Sequence, residues 1–307
     1  MIVAAVDIGS TSTRWLIHDS VKGDLLRESV ITGLGRDLAA GGRLHPSGVE
    51  AALGALRIYA ARAGESVVEE LRAVATSGLR RAIDGEAFLS AASEILGVRP
   101  EIIDGVEEGR LSFLGATSRR DPARGPFVVV DLGGGSCEFS VGSSEGWVGS
   151  YSAEFGAARL TEQYIASDPP RPDELLACLS VVEAHLADVR RALPAIATAR
   201  TWIGVAGTMC TFAAVELGLQ QYDQAKVDGF LLSREAAEDV FRTLVTEPLA
   251  ARVHNPGLEH ARAEIIVGGA CAVVAMMRGF GLDELMISDS DLLDSVVATM
   301  ICNRPDS

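Results

Sequence analysis

The sequence predicts a two-domain α/β protein. Its 307 residues are about twice the usual length of one domain, and 48% of them are hydrophobic, which is enough to form two cores. Segments with the pattern of strands alternate with segments that have the repeat of amphipathic helices, as in an α/β sheet. A strand, an Asp, a glycine turn and a returning strand occur at the head of each half, which indicates an internal duplication.

The first half reads as three strands followed by alternating helices and strands. Apolar, β-branched runs separated by turn residues predict the strands, and Pro at the start and Gly at the end delimit the helices. In order, we expect strands at 2–9, 14–20 and 24–31, a helix at 46–64, a strand at 71–76, a helix at 85–97, a strand at 98–103 and a helix at 106–117.

The domain boundary is placed near Asp121, because the charged, Pro- and Gly-rich segment 118–126 fits neither periodicity. The expected domains are 1–120 and 121–307, and we allow for the terminal helix packing back on the first domain.

The second half repeats the opening theme in residues 127–142, where a strand reaches Asp131, turns through glycines and returns. Beyond residue 155 the chain is expected to be mainly helical. Helices are predicted at 156–166, 172–193, 233–245, 262–280 and from Asp289 onward, with strands only at 201–207 and 284–289.

Composition excludes several classes of function. With 27 Lys and Arg against 42 Asp and Glu, the net charge of −15 disfavours binding to nucleic acid or anionic lipid. Five dispersed cysteines without a C-x-x-C pair argue against a disulfide framework or a zinc site. No signal segment and no apolar run of about 18 residues is present, so a cytoplasmic protein is expected.

The two glycine turns suggest a phosphate site. A Gly-rich turn exposes backbone N–H groups that bind phosphate oxygens, and an Asp beside it suits Mg²⁺. The alternative is an Asp-Gly hairpin that binds nothing, which two copies make less plausible than one. Gly207 and Thr208, which open a helix after a strand, form a third, weaker phosphate-type turn.

Two further motifs are A-T-S-x-x-R at 75–80 and E-E-G-R-L at 107–111. With them the sequence resembles the exopolyphosphatase and guanosine pentaphosphate phosphohydrolase (Ppx/GppA) family, whereas the glycine turns alone mark only the actin-like superfold of sugar kinases and heat-shock ATPases. The matching segments are 5–17, 73–82, 102–116, 126–139, 155–164, 203–214, 254–270 and 287–296.

The resemblance implies a two-domain actin-like fold of duplicated ribonuclease H-like domains with an interdomain cleft. It also implies hydrolysis of the terminal phosphoanhydride of inorganic polyphosphate or of guanosine pentaphosphate, with Mg²⁺ or Mn²⁺ and no organic cofactor. Carried over by motif, Glu108 would orient the attacking water and Arg80 would contact the transferring phosphate. The remaining expected site residues are Asp131, Glu138 and Asp7 for the metal, and Gly9, Ser10, Thr11, Ser12, Gly133, Gly134, Gly135, Ser136, Gly207 and Thr208 for phosphate.

Two other functions remain open at this stage. A kinase or ATPase of the same superfold would need an adenosine pocket, which the sequence does not identify, and a non-catalytic sensor of polyphosphate or alarmone would not need the carboxylates. Short chains are the expected polymer, since the sequence lacks the extra C-terminal domain of longer exopolyphosphatases. A homodimer is compatible with the family. Ala261 and Ser295 stand where the family more often has Gly.

Overall fold

A computed structural model describes residues 1–302. The described chain separates into two compact units, one formed by Met1–Leu111 with Leu292–Cys302, the other by Ser112–Asp291. The division falls inside a helix, about ten residues before the boundary expected near Asp121. The limits 1–120 and 121–307 stay a prediction.

Strands and helices follow one another as the alternating pattern predicts. The strands are β1 (Ile2–Ile8), β2 (Ser12–Asp19), β3 (Gly23–Ile31), β4 (Glu70–Ala75), β5 (Glu101–Ile102), β6 (Phe127–Leu132), β7 (Cys137–Ser143), β8 (Gly146–Ala153), β9 (Thr201–Val205), β10 (Leu231–Ser233) and β11 (Glu284–Ile287). The helices are α1 (Leu38–Gly41), α2 (Pro46–Glu65), α3 (Ser77–Arg81), α4 (Gly85–Leu96), α5 (Gly105–Thr117), α6 (Ala157–Tyr164), α7 (Pro172–Ala192), α8 (Ala206–Glu216), α9 (Gln224–Val227), α10 (Arg234–Thr246), α11 (Leu249–Arg252), α12 (Ile266–Phe280) and α13 (Leu292–Cys302).

The first unit is built on a five-stranded sheet in the order β3-β2-β1-β4-β5. β1, β2 and β3 form an antiparallel meander, and β4 and β5 run parallel to β1. Helices α2 and α4 cover one face and α13 covers the other, because alternate residues of β1 point to opposite faces. β1 therefore lies in the middle of the sheet with both faces buried.

An aromatic pair fixes β2 against α2 in this unit. The rings of Trp15 and Tyr59 stack with centroids 4.8 Å apart, and the Tyr59 hydroxyl donates to the carbonyl of Thr13 at 3.1 Å. Burial, with the negative charge of Glu28, raises the pKa of Tyr59 to about 12. The hydroxyl therefore stays protonated and keeps donating at the end of the first glycine turn.

The second unit is built on a six-stranded sheet in the order β10-β11-β9-β6-β7-β8. β6, β7 and β8 form an antiparallel meander, β9 and β11 are parallel to β6, and β10 is an antiparallel edge strand. Helices α7, α10 and α12 pack over one face, with α12 buried over most of its 15 residues. Within the described chain no helix is both long and apolar enough to cross a bilayer.

Both units repeat one topology. In each, a three-stranded meander is followed by a helical segment and by a strand that pairs in parallel with the first strand of the meander. β1, β2, β3 and β4 thus correspond to β6, β7, β8 and β9. This is the duplication indicated by the two Asp and glycine turns.

Several elements differ from the sequence prediction. β8 was not predicted, because its glycines and serines have low strand propensity. The expectation of only two strands after residue 155 is wrong: β10 is a third, whose three residues are too few to show a period. Helix α12 begins at Ile266 and α13 at Leu292, each a few residues later than expected, since turns precede both.

Candidate active site

The glycine turn of the first unit, residues 9–12, is tight and is held through its carbonyls. The N–H of Gly9 donates to the carbonyl of Ser12 at 2.9 Å, and the Ser10 carbonyl accepts from Gly35 at 2.7 Å. The Thr11 carbonyl accepts from Thr32 at 2.8 Å. Within the described chain the N–H groups of Ser10 and Thr11 donate to no protein acceptor.

The glycine turn of the second unit, residues 133–136, has the same construction. Gly133 donates to the carbonyl of Ser136 at 3.1 Å, and the carbonyls of Gly133 and Gly134 accept from the first residues of α6 at 2.9 and 3.0 Å. The N–H groups of Gly134 and Gly135 likewise donate to no acceptor among residues 1–302. Each turn therefore offers two N–H donors to an anion.

Close backbone approach at Gly156 secures the second turn. A Cβ at this position would lie 2.5 Å from the carbonyl carbon of Gly134 and 2.7 Å from the nitrogen of Gly135. Since real Cβ atoms do not approach this closely, any larger residue would push the turn out of place. Gly156 is a supporting residue that the glycine motif itself does not reveal.

The residue facing the Asp differs between the units. Asp7 pairs across the strands with Arg14, and Asp131 pairs in the same way with Glu138, seven residues after the Asp in both cases. Arg14 holds Oδ2 of Asp7 through Nη2 at 2.6 Å and Nε at 2.9 Å. The first unit thus places an ion pair where the second unit places two carboxylates.

These two carboxylates are buried and hydrogen-bonded. Asp131 is 7% exposed and Glu138 is 1% exposed. Ser112 on α5 donates to Oδ2 of Asp131 at 2.5 Å, and Ser152 on β8 donates to Oε1 of Glu138 at 2.7 Å. Directly opposed residues of an antiparallel pair have Cβ atoms about 5 Å apart on one face of the sheet, so both carboxylates share a face.

A divalent cation fits this pair chemically. Mg²⁺ takes one or two protein carboxylates and completes its shell with water and substrate oxygens, and two buried like charges gain from a cation. Among residues 1–302 no three His, Cys, Asp or Glu side chains form a metal-binding cluster. Asp7 as an additional metal contact stays a prediction, and its carboxylate binds Arg14.

Arg80 and Glu108 meet within the first unit. Nη1 of Arg80 donates to Oε2 of Glu108 at 2.9 Å and to the carbonyl of Ile103 at 2.6 Å. Glu108 is 8% exposed. Its neighbour Glu107 forms a bidentate ion pair with Arg110, whose Nε and Nη2 each donate to one carboxylate oxygen at 2.7 Å. The two adjacent glutamates therefore have different environments. Glu108 is buried and paired with Arg80, and Glu107 is paired with Arg110, three residues further along α5.

Helix α3, which carries Arg80, touches the first glycine turn. The hydroxyl oxygens of Ser10 and Ser77 lie 3.1 Å apart. A Cβ on Gly78 would lie 2.8 Å from Oγ of Ser10, so this glycine allows the close approach. The structure thus brings Ser10, Arg80 and Glu108 into one region, as the sequence motifs imply.

The third turn lies at the start of α8. Ala206 has the left-handed φ of +73°, which is strained for a residue with a side chain, and it turns the chain from β9 into the helix. The next residue, Gly207, packs against the guanidinium of Arg262, and a Cβ added to Gly207 would overlap that group. Thr208 is buried beside Gly269. Arg262 is therefore a candidate phosphate contact that the motif at Gly207 did not name.

Sequence reasoning missed Arg14 and Ser112, and it interpreted Cys137 as a small strand residue rather than a nucleophile. Arg14 could have been found by aligning the two duplicated segments, where it stands in the place of Glu138. Ser112 carries no sequence signal, because a Ser inside a helix is common. Cys137 is fully buried, and desolvation, with the charges of Glu138 and Asp131, raises the pKa of its thiol, which agrees with a structural residue rather than a nucleophile.

Ser295 and Ala261, the two positions where the sequence departs from the family pattern, have different environments. Ser295 is buried, and its hydroxyl donates to the carbonyl of Leu111 at 2.5 Å, which ties α13 to α5. Ala261 is exposed in a short 3-10 turn, His260–Arg262. Neither side chain lies on the glycine turns.

Comparison with known proteins decides the family. The sequence profile of the Ppx/GppA phosphatase family matches residues 16–303. The chain belongs to the Ppx/GppA phosphatase family. Exopolyphosphatase 2 of Mycobacterium tuberculosis is 36% identical to it, over 97% of this chain and 98% of the relative.

Solved structures of Ppx/GppA-type proteins agree with this membership. An exopolyphosphatase-like protein superposes with a TM-score of 0.93 at 33% identity, covering 98% of each chain. The Ppx/GppA family member of Aquifex aeolicus superposes with a TM-score of 0.82 at 31% identity, covering 100% of this chain and 99% of its own. The family resemblance and the α/β actin-like fold class predicted from the sequence are confirmed, and the individual site residues stay predictions.

Proposed function

We propose that this Ppx/GppA-family chain hydrolyses the terminal phosphoanhydride bond of inorganic polyphosphate. The observation that carries this is the pair of glycine turns at 9–12 and 133–136, each with two N–H groups that no described acceptor uses. Such turns bind phosphate oxygens without reading a base or a sugar. A chain of phosphates is therefore the substrate class they suit, and relatives named exopolyphosphatase support this choice.

Glu108 is the residue we assign to orient the attacking water. Phosphoryl transfer requires positioning and electrostatic stabilisation more than covalent chemistry, and one group must hold the nucleophile. A carboxylate at 8% exposure, fixed by Arg80 at 2.9 Å, has a defined direction in which to accept the water proton. Arg80 would also face the phosphate, where its planar cation stabilises the developing charge.

Asp131 and Glu138 are the residues we assign to hold Mg²⁺ or Mn²⁺. A bound divalent ion supplies neutralisation of phosphate charge. Ser112 and Ser152 donate hydrogen bonds to the two carboxylates and so fix the orientation of both side chains. The expectation of no organic cofactor stays part of the proposal.

Guanosine pentaphosphate presents the same terminal phosphoanhydride and belongs to the proposal as a second substrate. Preference for short polymers, a homodimer and a cytoplasmic location stay predictions. ATP hydrolysis or kinase activity, and a role as a non-catalytic sensor, are the outcomes against which the assay is designed.

The test is phosphate release by the purified protein from short polyphosphate, long polyphosphate, guanosine pentaphosphate and ATP, with Mg²⁺ and with EDTA. We expect release from polyphosphate that EDTA abolishes and that Asp131→Asn lowers by at least about 100-fold. Turnover of ATP alone would support the kinase or ATPase alternative. Binding of polyphosphate without release would leave a sensor.

A further inference from the structure

A cavity lies in the second unit where β6, β9 and β11 begin, at the opposite end of these strands from the glycine turn 133–136. It has a volume of about 720 Å³ and is lined by the first residues of β9 and β11, by Arg200 just before β9 and by Arg124 before β6. The turn 133–136 follows the other end of β6, and six residues of strand span about 20 Å. The cavity is therefore separate from the turn proposed to bind phosphate.

Three arginines line this cavity without a carboxylate partner. Arg124, Arg190 and Arg200 form no ion pair with any described residue, although most other described arginines do. Two acidic side chains also line it: Asp283 is already paired with Arg234 at 2.8 Å, and Glu284 is exposed. In a chain of net charge −15, three guanidinium groups around one hollow form a local positive site.

The same cavity has an aromatic wall. The rings of Trp202 and Phe280 lie 4.6 Å apart at 41°, and the guanidinium of Arg190 covers the Phe280 ring at 4.6 Å. Arg190 also donates to the carbonyl of Gly279 at 2.5 Å, which holds it in place. Trp202 is half-buried, so part of its ring remains open to the hollow.

The combination selects a class of ligand. A purely inorganic anion would leave the aromatic wall unused, and a neutral apolar ligand would leave the guanidinium groups without a counter-charge. A planar base joined to a phosphate uses both, by stacking on Trp202 and by charge-assisted hydrogen bonds to Arg124 and Arg200. The volume is within the range of pockets for ligands of this size.

We propose that this cavity binds a nucleoside phosphate, at a site distinct from the phosphohydrolase centre. The proposal goes beyond the proposed function and does not depend on it, because a nucleoside monophosphate has no phosphoanhydride to hydrolyse. A nucleotide bound at this end of the strands would give the protein a site for regulation by nucleotides.

The test is isothermal titration of the full-length protein in EDTA with GMP and AMP, beside ribose 5-phosphate and guanosine. The variants are Arg124→Ala/Arg200→Ala and Trp202→Leu, and the matched control is Arg57→Ala, an arginine without an ion-pair partner in the described chain that lies outside the cavity. Thermal unfolding verifies that each variant is folded.

We expect a nucleoside monophosphate to bind at least about tenfold more tightly than ribose 5-phosphate or guanosine, and the double variant to weaken it by about tenfold or more. Trp202→Leu should weaken it to the level of ribose 5-phosphate, and Arg57→Ala should bind as the wild type does. Saturating tripolyphosphate should not displace the nucleotide. No binding at millimolar concentration, equal binding by the double variant, or displacement by tripolyphosphate would overturn the proposal.

Discussion

Replacing Asp7 by Asn and Asp131 by Asn is expected to change stability in opposite directions in metal-free buffer. The two residues occupy equivalent places in the duplicated strands. Asp7 faces Arg14, so its neutralisation removes an ion pair. Asp131 faces Glu138, so its neutralisation removes a repulsion between like charges.

The structure sets the sizes of both effects. The Asp7 side chain is 6% exposed and accepts from Arg14 at 2.6 and 2.9 Å, and charged hydrogen bonds of this kind contribute about 1.5–3 kcal/mol. We therefore expect Asp7→Asn to lower the free energy of unfolding by about 2 kcal/mol. Two like charges separated by about 5 Å, the usual Cβ separation of directly opposed residues, repel by about 3 kcal/mol at an effective dielectric constant of about 20. Asp131→Asn should raise the free energy of unfolding by about 1–3 kcal/mol.

The assay is urea unfolding in EDTA followed by tryptophan fluorescence. Trp15 reports on the first unit, and Trp147 and Trp202 report on the second. Glu138→Gln should reproduce the gain of Asp131→Asn, and Mg²⁺ should stabilise the wild type more than either variant. Loss of stability in Asp131→Asn as large as in Asp7→Asn, in EDTA, would refute the assignment of a cation to this pair.

Three further predictions concern the second glycine turn and the thiols. Gly156→Ala should lower the rate of phosphate release by about 100-fold, because its Cβ displaces the turn by up to about 1 Å, while Gly54→Ala, which meets nothing within 4 Å, should leave the rate unchanged. Burial raises the pKa of the Cys137 thiol, so the folded state binds its proton more tightly than the unfolded chain does. The stability that this thiol contributes is therefore complete below the unfolded thiol pKa of about 8.5 and declines at higher pH. Between pH 7 and pH 9.5 the free energy of unfolding should fall less in Cys137→Ala than in the wild type. Maleimide labelling of the native protein at pH 7.5, read by mass spectrometry, should modify exposed Cys302 and spare Cys137.

The fold was predictable where the sequence pattern has a single cause. β1 and β6 are apolar up to Asp7 and Asp131 because both of their faces are buried, and the glycine turns follow from residues that permit tight turns. β8 and β10 were not predictable, because their strand pairing is decided by tertiary contacts and not by propensity. The starts of α12 and α13 were misplaced because turns precede both helices.

The site was predictable at the level of motifs and less so at the level of partners. Arg80 and Glu108 came together because they lie on helices α3 and α5, which follow the ends of the neighbouring parallel strands β4 and β5. Ser112 and Gly156 lie at positions where only the packed chain shows what they contact. Arg14 and Glu138 occupy equivalent positions because each is paired across the strands with the Asp of its own unit. Comparison of the two duplicated segments suggests this strand register, and the sheets establish it.

Phosphate release from short polyphosphate by Glu108→Gln, measured beside Glu107→Gln, tests whether Glu108 orients the attacking water. Gln keeps the size of the side chain and its contact with Arg80 but accepts a proton poorly. We predict a loss of about 100-fold or more for Glu108→Gln with polyphosphate binding retained, and a change within about threefold for Glu107→Gln, whose carboxylate pairs with Arg110. Equal rates of phosphate release in the two variants, or a wild-type rate in Glu108→Gln, would contradict this role of Glu108.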